Sequence, residues 1–186
     1  TALKWQEHSL DTAPIALSIS TVTLVGQGGT VTEYAYDYAG NCTRTWYTAD
    51  GATVATAYTH DFRGNVLTET DAASVKAYTY DSRGRKSSYA LTVGDTEIST
   101  AAYAYDDLNR LVSVTEGGVT TTYTYDANGN RASQTTGEVS VAYTYNDANL
   151  VTSLTNTLTN ASGEAVVPSA FAYTYYADGN QHTKTE

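Results

Sequence analysis

Asp37, Asp61, Asp81, Asp106 and Asp126 each stand three residues ahead of a glycine or an asparagine. Carboxylates recurring in short loops suggest calcium first, but a calcium site gathers about six to eight oxygens in one place. Here each loop offers a single motif carboxylate, with Asp106-Asp107 as a local doublet. That is too sparse for calcium, and the position suits a turn instead. His8, His60 and His182 lie far apart, without the spacing of a metal site. Cys42 has no second cysteine to pair with, and its nearest basic neighbour is Arg44, so neither a disulfide nor an activated thiolate is indicated. Ser, His and Asp are all present, yet no G-x-S-x-G elbow occurs. The residue inventory therefore predicts no catalytic residue, no metal site and no cofactor.

The aspartates belong to a repeat. Aligned on the first tyrosine, units start at Tyr34 (YAYDYAGN), Tyr58 (YTHDFRGN), Tyr78 (YTYDSRGR), Tyr103 (YAYDDLNR), Tyr123 (YTYDANGN), Tyr143 (YTYNDANL) and Tyr173 (YTYYADGN). The steps are 24, 20, 25, 20, 20 and 30 residues, a unit of 20 with insertions of 4, 5 and 10. Asp followed three places later by Gly fits a type I turn, and a left-handed residue after it makes a three-residue hairpin loop with a bulge. Gly and Asn tolerate positive φ best. That position reads Gly40, Gly64, Gly84, Asn109, Gly129, Asn149 and Gly179. The Asp carboxylate can hold the turn through backbone N–H groups. In the last two units Asn146 and Tyr176 take its place; Asn146 can still cap, whereas Tyr176 cannot.

Elements to carry these turns follow from period two. In Tyr-x-Tyr both rings leave one face of a strand. The pairs are Tyr34 and Tyr36, Tyr78 and Tyr80, Tyr103 and Tyr105, Tyr123 and Tyr125, Tyr143 and Tyr145, Tyr173 and Tyr175, with Tyr58 followed by His60. A second strand follows each turn, as in Arg110–Thr115, and Gly-containing turns such as Glu116-Gly117-Gly118 lead back. Each unit is then one hairpin, and the chain is all-β. The tandem hairpins form a curled or spiral antiparallel meander, since open sheets rarely exceed about ten strands without curling. One face carries Tyr rings, the other Thr, Ser and Ala. The Tyr face packs cross-strand and is also a candidate platform for stacking sugar rings or an extended polypeptide. The odd insertion predicts a bulge or longer loop near Gly94-Asp95, and Asn160–Gly163 a protruding hairpin. Residues 1–33 read as a divergent or capping β segment with Trp5 over an edge, and 34–186 as one repeat domain whose last unit is truncated.

Composition narrows the partners. The 186 residues carry a formal charge of −10, and the ten Lys and Arg form no stripe, which argues against nucleic acid. No apolar run reaches the ~18 residues of a membrane span, and no signal-peptide pattern is visible. The chain starts without Met and stops partway through a unit, which reads as an excised piece of a longer protein. Asn41-Cys42-Thr43 and Asn160-Ala161-Ser162 match a glycosylation pattern that matters only in a eukaryotic secretory host.

Y-x-Y-D-x-x-G-N/R at about twenty-residue spacing, carried by residues 34–186, resembles the Rhs/YD-repeat family. That family includes bacterial polymorphic toxins, shell components of insecticidal toxin complexes, wall-associated proteins and teneurins. The resemblance implies hairpin repeats coiling into a hollow shell around an effector polypeptide, or forming an extracellular stalk. It implies a non-enzymatic segment of a secreted or bacterial surface protein, partnered by the rest of its shell or by an enclosed polypeptide. The alternative is an adhesin module that binds glycans through the Tyr face or self-associates through open sheet edges. Family shells use many more repeats than seven, and no self-cleaving aspartyl protease segment is visible here.

Overall fold

The computed structural model describes residues 4–8, 19–25 and 31–186. The chain divides into two compact units, residues 1–100 and 101–186. The first holds β1 (Lys4–His8), β2 (Ile19–Val25), β3 (Val31–Tyr36), β4 (Cys42–Ala49), β5 (Ala52–His60), β6 (Val66–Thr70), β7 (Ser74–Tyr80) and β8 (Lys86–Val93). The strand β9 (Thr96–Tyr105) contributes to both. The second continues with β10 (Leu111–Glu116), β11 (Val119–Tyr125), β12 (Arg131–Thr136), β13 (Val139–Tyr145), β14 (Val151–Thr159), β15 (Ala165–Tyr175) and β16 (Gln181–Thr185). Within each unit every strand pairs with the next in chain order, and the described registers are all antiparallel. This is an all-β meander of tandem hairpins. Trp5 lies in β1, whose side chains are outside the described residues.

The motif turns are alike in their backbone. Asp126 N–H donates to the Asn130 carbonyl at 2.9 Å, and Gly129 N–H to the Asp126 carbonyl at 3.1 Å. The same two bonds close the turns begun by Asp37, Asp61, Asp81, Asp106, Asn146 and Tyr176. The fourth residue has positive φ in all seven, from 59° at Asn149 to 88° at Gly129. Every hairpin also carries a second irregularity that the sequence pattern does not announce. Tyr125 pairs with Arg131 but Thr124 with Ser133, so Ala132 is an extra residue. Equivalent shifts follow the other six turns. The return loops are short: Asp50-Gly51 and Gly117-Gly118 have positive φ at both residues, the signature of a type I′ turn.

Insertions lengthen strands rather than loops. β8 and β9 have 8 and 10 residues against 6 and 7 in β10 and β11. Gly94-Asp95 between them is a two-residue turn, not a longer loop. The 10-residue insertion ends in Asn160–Glu164, which repeats the motif turn bond for bond. Pro168 lies in β15 where the register with β14 slips, a site that asks for no ladder N–H.

Among the described residues only Ala35 and Ala101 are buried, and these residues form no conventional core. Motif Tyr rings are half-buried on one face. On the other, hydroxyls pair across the strands: Thr59 with Thr68, Thr79 with Ser88, Thr124 with Ser133, Thr144 with Ser153 and Thr174 with Thr183, at 2.6–2.7 Å.

Gly129 isolates the backbone demand of the turn, because a Cβ there would touch nothing within 4 Å. Gly129→Val will therefore lower stability by about 1–2 kcal/mol through left-handed strain alone, read as a reduced urea midpoint. Gly129→Asn will cost less, since Asn109 and Asn149 already hold φ of 64° and 59° at the equivalent place.

Candidate functional site

The chemistry-bearing residues converge on two features of the repeat, the motif turn and the seam between hairpins. In the turn the Asp carboxylate accepts three hydrogen bonds. Asp126 Oδ1 takes the N–H groups of Asn128 and Asn130 at 3.0 and 2.8 Å, and Oδ2 takes Asn130 Nδ2 at 3.0 Å. Asn65 serves Asp61 and Asn41 serves Asp37 in the same way. Arg85 and Arg110 do so through Nε at 2.7 Å to Asp81 and Asp106. The residue after the Gly or Asn is thus the second half of the cap. Its N/R preference was visible in the motif, but its role was not.

These bonds set the charge state. Asn130's side-chain amide holds the Asp126 carboxyl below the usual range against a smaller push from burial. Asn41 and Asn65 do the same for Asp37 and Asp61. At Asp81 burial pushes upward, and the Arg85 N–H and guanidinium outweigh it. At Asp106 the Arg110 N–H leads. Asn146 caps Ala148 and Leu150 without a charge. Tyr176 has no cap to offer, and its turn survives because Asp178 accepts from Asn180 N–H and Nδ2, while the Tyr176 ring lies 4.3 Å from His182.

The seam is made by the second Tyr. Tyr80, Tyr125, Tyr145 and Tyr175 donate their hydroxyls to the carbonyls of Val66, Leu111, Arg131 and Val151, at 2.6–2.8 Å. Each acceptor is the fifth residue after the preceding turn's Asp or Asn, where the second bulge sits. A bulge leaves ladder groups unpaired, and the next repeat's hydroxyl reaches one of them. Cations also cross: Arg110 lies 4.5 Å from the Tyr125 ring centre, so the preceding repeat holds Tyr125 twice. The first Tyr of a pair meets its own hairpin, with Lys86 at 4.3 Å from Tyr78 and Arg131 at 5.3 Å from Tyr123. Tyr78 also packs on Tyr89 at 5.5 Å. Turns touch turns as well: Arg63 donates to the Ser82 carbonyl, and Asn130 Nδ2 to Asn149 Oδ1. Open grooves lie between successive turns, of about 640 Å³ beside Leu150 and Tyr175 and about 380 Å³ beside Phe62 and Tyr80.

Among the described residues no group of three His, Cys, Asp or Glu is placed to hold a metal. Cys42 Sγ sits 3.5 Å from the Arg44 carbonyl, and burial pushes its thiol pKa up, away from a reactive thiolate. Tyr36, Tyr58, Tyr103, Tyr143 and Tyr173 are half-buried on the same face as the seam tyrosines.

The RHS Repeat family matches residues 105–138, from the second Tyr of one unit through the turn of the next. The same signature and the same turn recur along the rest of the chain. The matched segment is an RHS repeat, and the chain resembles the Rhs/YD-repeat family. No curated protein matches it. Of solved structures, TcdB2-TccC3-Cdc42 aligns with a TM-score of 0.65 and 16% identity, over 89% of this chain and 12% of that one. At that identity it speaks for the fold, and this YD-repeat chain spans about an eighth of its length. A porin-like protein from Bacteroides uniformis aligns over 88% of the chain at 12% identity, but its TM-score of 0.36 carries no argument.

Two outcomes follow from this geometry. A carboxyl whose folded pKa lies below an unfolded value of about 3.9 adds stability above that value, and loses it as pH falls through the folded pKa. The melting temperature will therefore drop below about pH 4. In an NMR titration the Asn130 amide will shift there, while the Leu150 amide, held by the uncharged Asn146, will not. Separately, His60→Tyr will supply the missing hydroxyl for the Cys42 carbonyl and raise stability by about 1 kcal/mol; a lower urea midpoint would count against the seam.

Proposed function

We propose that this segment is a non-catalytic wall piece of a secreted or surface-exposed Rhs/YD-repeat protein, forming part of a β shell or stalk that encloses or presents a toxin or effector polypeptide. The observation that carries this reading is the Tyr hydroxyl bond from one hairpin to the one before. It joins identical units without a terminus built in, so it suits a wall of any length. Repeat units that contact mainly their neighbours gain stability by stacking. The near absence of buried side chains fits a single layer whose faces serve something else. The match to a small part of a much longer chain agrees with a segment of a larger repeat array.

A second reading, a glycan-binding or self-associating adhesin module, draws on the half-exposed rings from Tyr34 to Tyr173. Tyr offers apolar area and a hydroxyl together, but the second Tyr of four pairs has already committed its hydroxyl to the seam. A glycan array with no selective signal, and light scattering from a concentration-independent monomer, would remove both variants.

The shell reading is tested on the parent protein by limited proteolysis. A polypeptide downstream of the repeats will resist protease in the intact protein and be cut at least tenfold faster when Tyr125→Phe and Tyr145→Phe loosen two seams, with bond losses of about 1 kcal/mol each. Cleavage of the wild type as fast as the isolated polypeptide would overturn it.

A further inference from the structure

Each hairpin sets the first Tyr of its motif directly opposite one residue of the strand that follows the turn. In six hairpins that residue is Thr45, Glu69, Val114, Gln134, Leu154 or Lys184. In the β7–β8 hairpin it is a second phenol, because Tyr78 faces Tyr89. The repeat itself does not ask for a ring there, since six other side chains fill the same place.

Directly opposite residues leave one face of the sheet with Cβ atoms about 4.5–5.5 Å apart. The ring centres of Tyr78 and Tyr89 lie 5.5 Å apart, with planes tilted by 39°, which is direct aromatic contact. Both rings are half-buried, so each keeps an edge toward solvent. Their hydroxyls are not engaged at a seam. Tyr80, two residues on, donates to the Val66 carbonyl, whereas no described residue hydrogen-bonds the hydroxyl of Tyr78 or Tyr89. A phenol whose proton can leave to water gives a phenoxyl radical when one electron is removed. Two such radicals held in contact couple with each other before they meet another molecule.

We propose that Tyr78 and Tyr89 form an oxidative cross-linking site, joined as dityrosine by a one-electron oxidant fed with peroxide. Each phenol gives up one electron and one proton. The two radicals then form a C–C bond between ring carbons adjacent to the hydroxyl-bearing carbons. Each joined carbon releases its hydrogen as a proton while the ring oxygen regains one, which restores both aromatic rings. The pair has then lost two hydrogens in all. Hydrogen peroxide takes up those two electrons and two protons and becomes two waters. The new bond closes residues 79–88 into a covalent loop, and a link of this kind restricts the unfolded chain as a disulfide does. Cys42 is the one cysteine of the sequence, so the tie is one that sulfur cannot supply within the chain. The competing account leaves the pair as ordinary packing and puts oxidation on Tyr38, which is 89% exposed and would couple between molecules. This inference does not depend on what the wall encloses.

The test treats the whole 186-residue chain, kept dilute, with a haem peroxidase and hydrogen peroxide, and maps the product with trypsin. Cleavage after Lys76, Arg83, Lys86 and Arg110 separates the two rings unless they are joined. The expected product links residues 77–83 to 87–110 and is lighter than their sum by two hydrogens, with fragment ions placing the bond at Tyr78 and Tyr89. Dityrosine emission will come from the monomer. Tyr89→Phe keeps the ring and removes the phenol; the linked species will be lost and monomer emission will fall. The oxidised wild type will also unfold at a higher urea midpoint than the untreated chain, and the variant will show no such rise. No dityrosine while N-acetyltyrosine couples in the same mixture, emission confined to dimers, or a bond placed on other tyrosines would overturn the proposal. The wild-type map decides it even if the Tyr89 variant folds poorly.

Discussion

The motif hairpin closes by a type I turn followed by one residue at positive φ, and this requirement organises the chain. Two hydrogen bonds close each motif turn, and the left-handed residue between them is Gly five times and Asn twice. The Asp that opens the turn would leave its own carboxylate to water. Instead the following Asn or Arg folds back on it, so the side chains lock what the backbone begins. Once the loop is fixed, strand pairing and side-chain face follow, because register in a hairpin is set by its turn. Seven such loops in one chain make the faces consistent from hairpin to hairpin.

Consistency of faces matters because the described residues form no core to enforce it. With two alanines as the buried side chains among those described, each hairpin leans only on the ones beside it. The Tyr hydroxyl bond is the most repeated device at that seam, and it works because of a defect in the ladder. The second bulge turns a carbonyl out of the strand pairing, and the following repeat uses it. Small irregularities of this kind are retained parts of the architecture. Hydroxyl pairs such as Thr144 with Ser153 hold the two strands of one hairpin, while the hydroxyl of the second Tyr bonds hairpin to hairpin.

Much of this was legible in the sequence, and the boundary of legibility has a physical cause. The Gly/Asn column and the Tyr-x-Tyr period are local, within one turn or one strand, so the loop type and the two faces could be read directly. Asn130's grip on Asp126 spans four residues and was printed in the motif, yet an Asn after a Gly has many other uses. Tyr125's acceptor lies 14 residues back on a backbone atom, which no side-chain pattern encodes. The odd insertion before Tyr103 was expected to make a bulge or longer loop near Gly94-Asp95; the loop stays at two residues and the flanking strands are longer, because lengthening a ladder adds bonds where lengthening a loop adds only an entropy cost. Tyr176 kept its turn since the backbone bonds do not need the cap, and Asp178 supplied another.

The single-layer packing also shapes how the protein responds to temperature. Ordinary domains gain about 12–15 cal/mol/K per residue in heat capacity on unfolding, mostly from newly wetted apolar area. Here the Tyr rings and the hydroxyl face already meet solvent in the native state. The increment per residue will be smaller and the curve of free energy against temperature correspondingly flat. Such a chain loses little on cooling and weakens slowly on warming, with its enthalpy carried by hydrogen bonds more than by excluded water. The sparse burial among the described residues thus exchanges peak stability for breadth of thermal range.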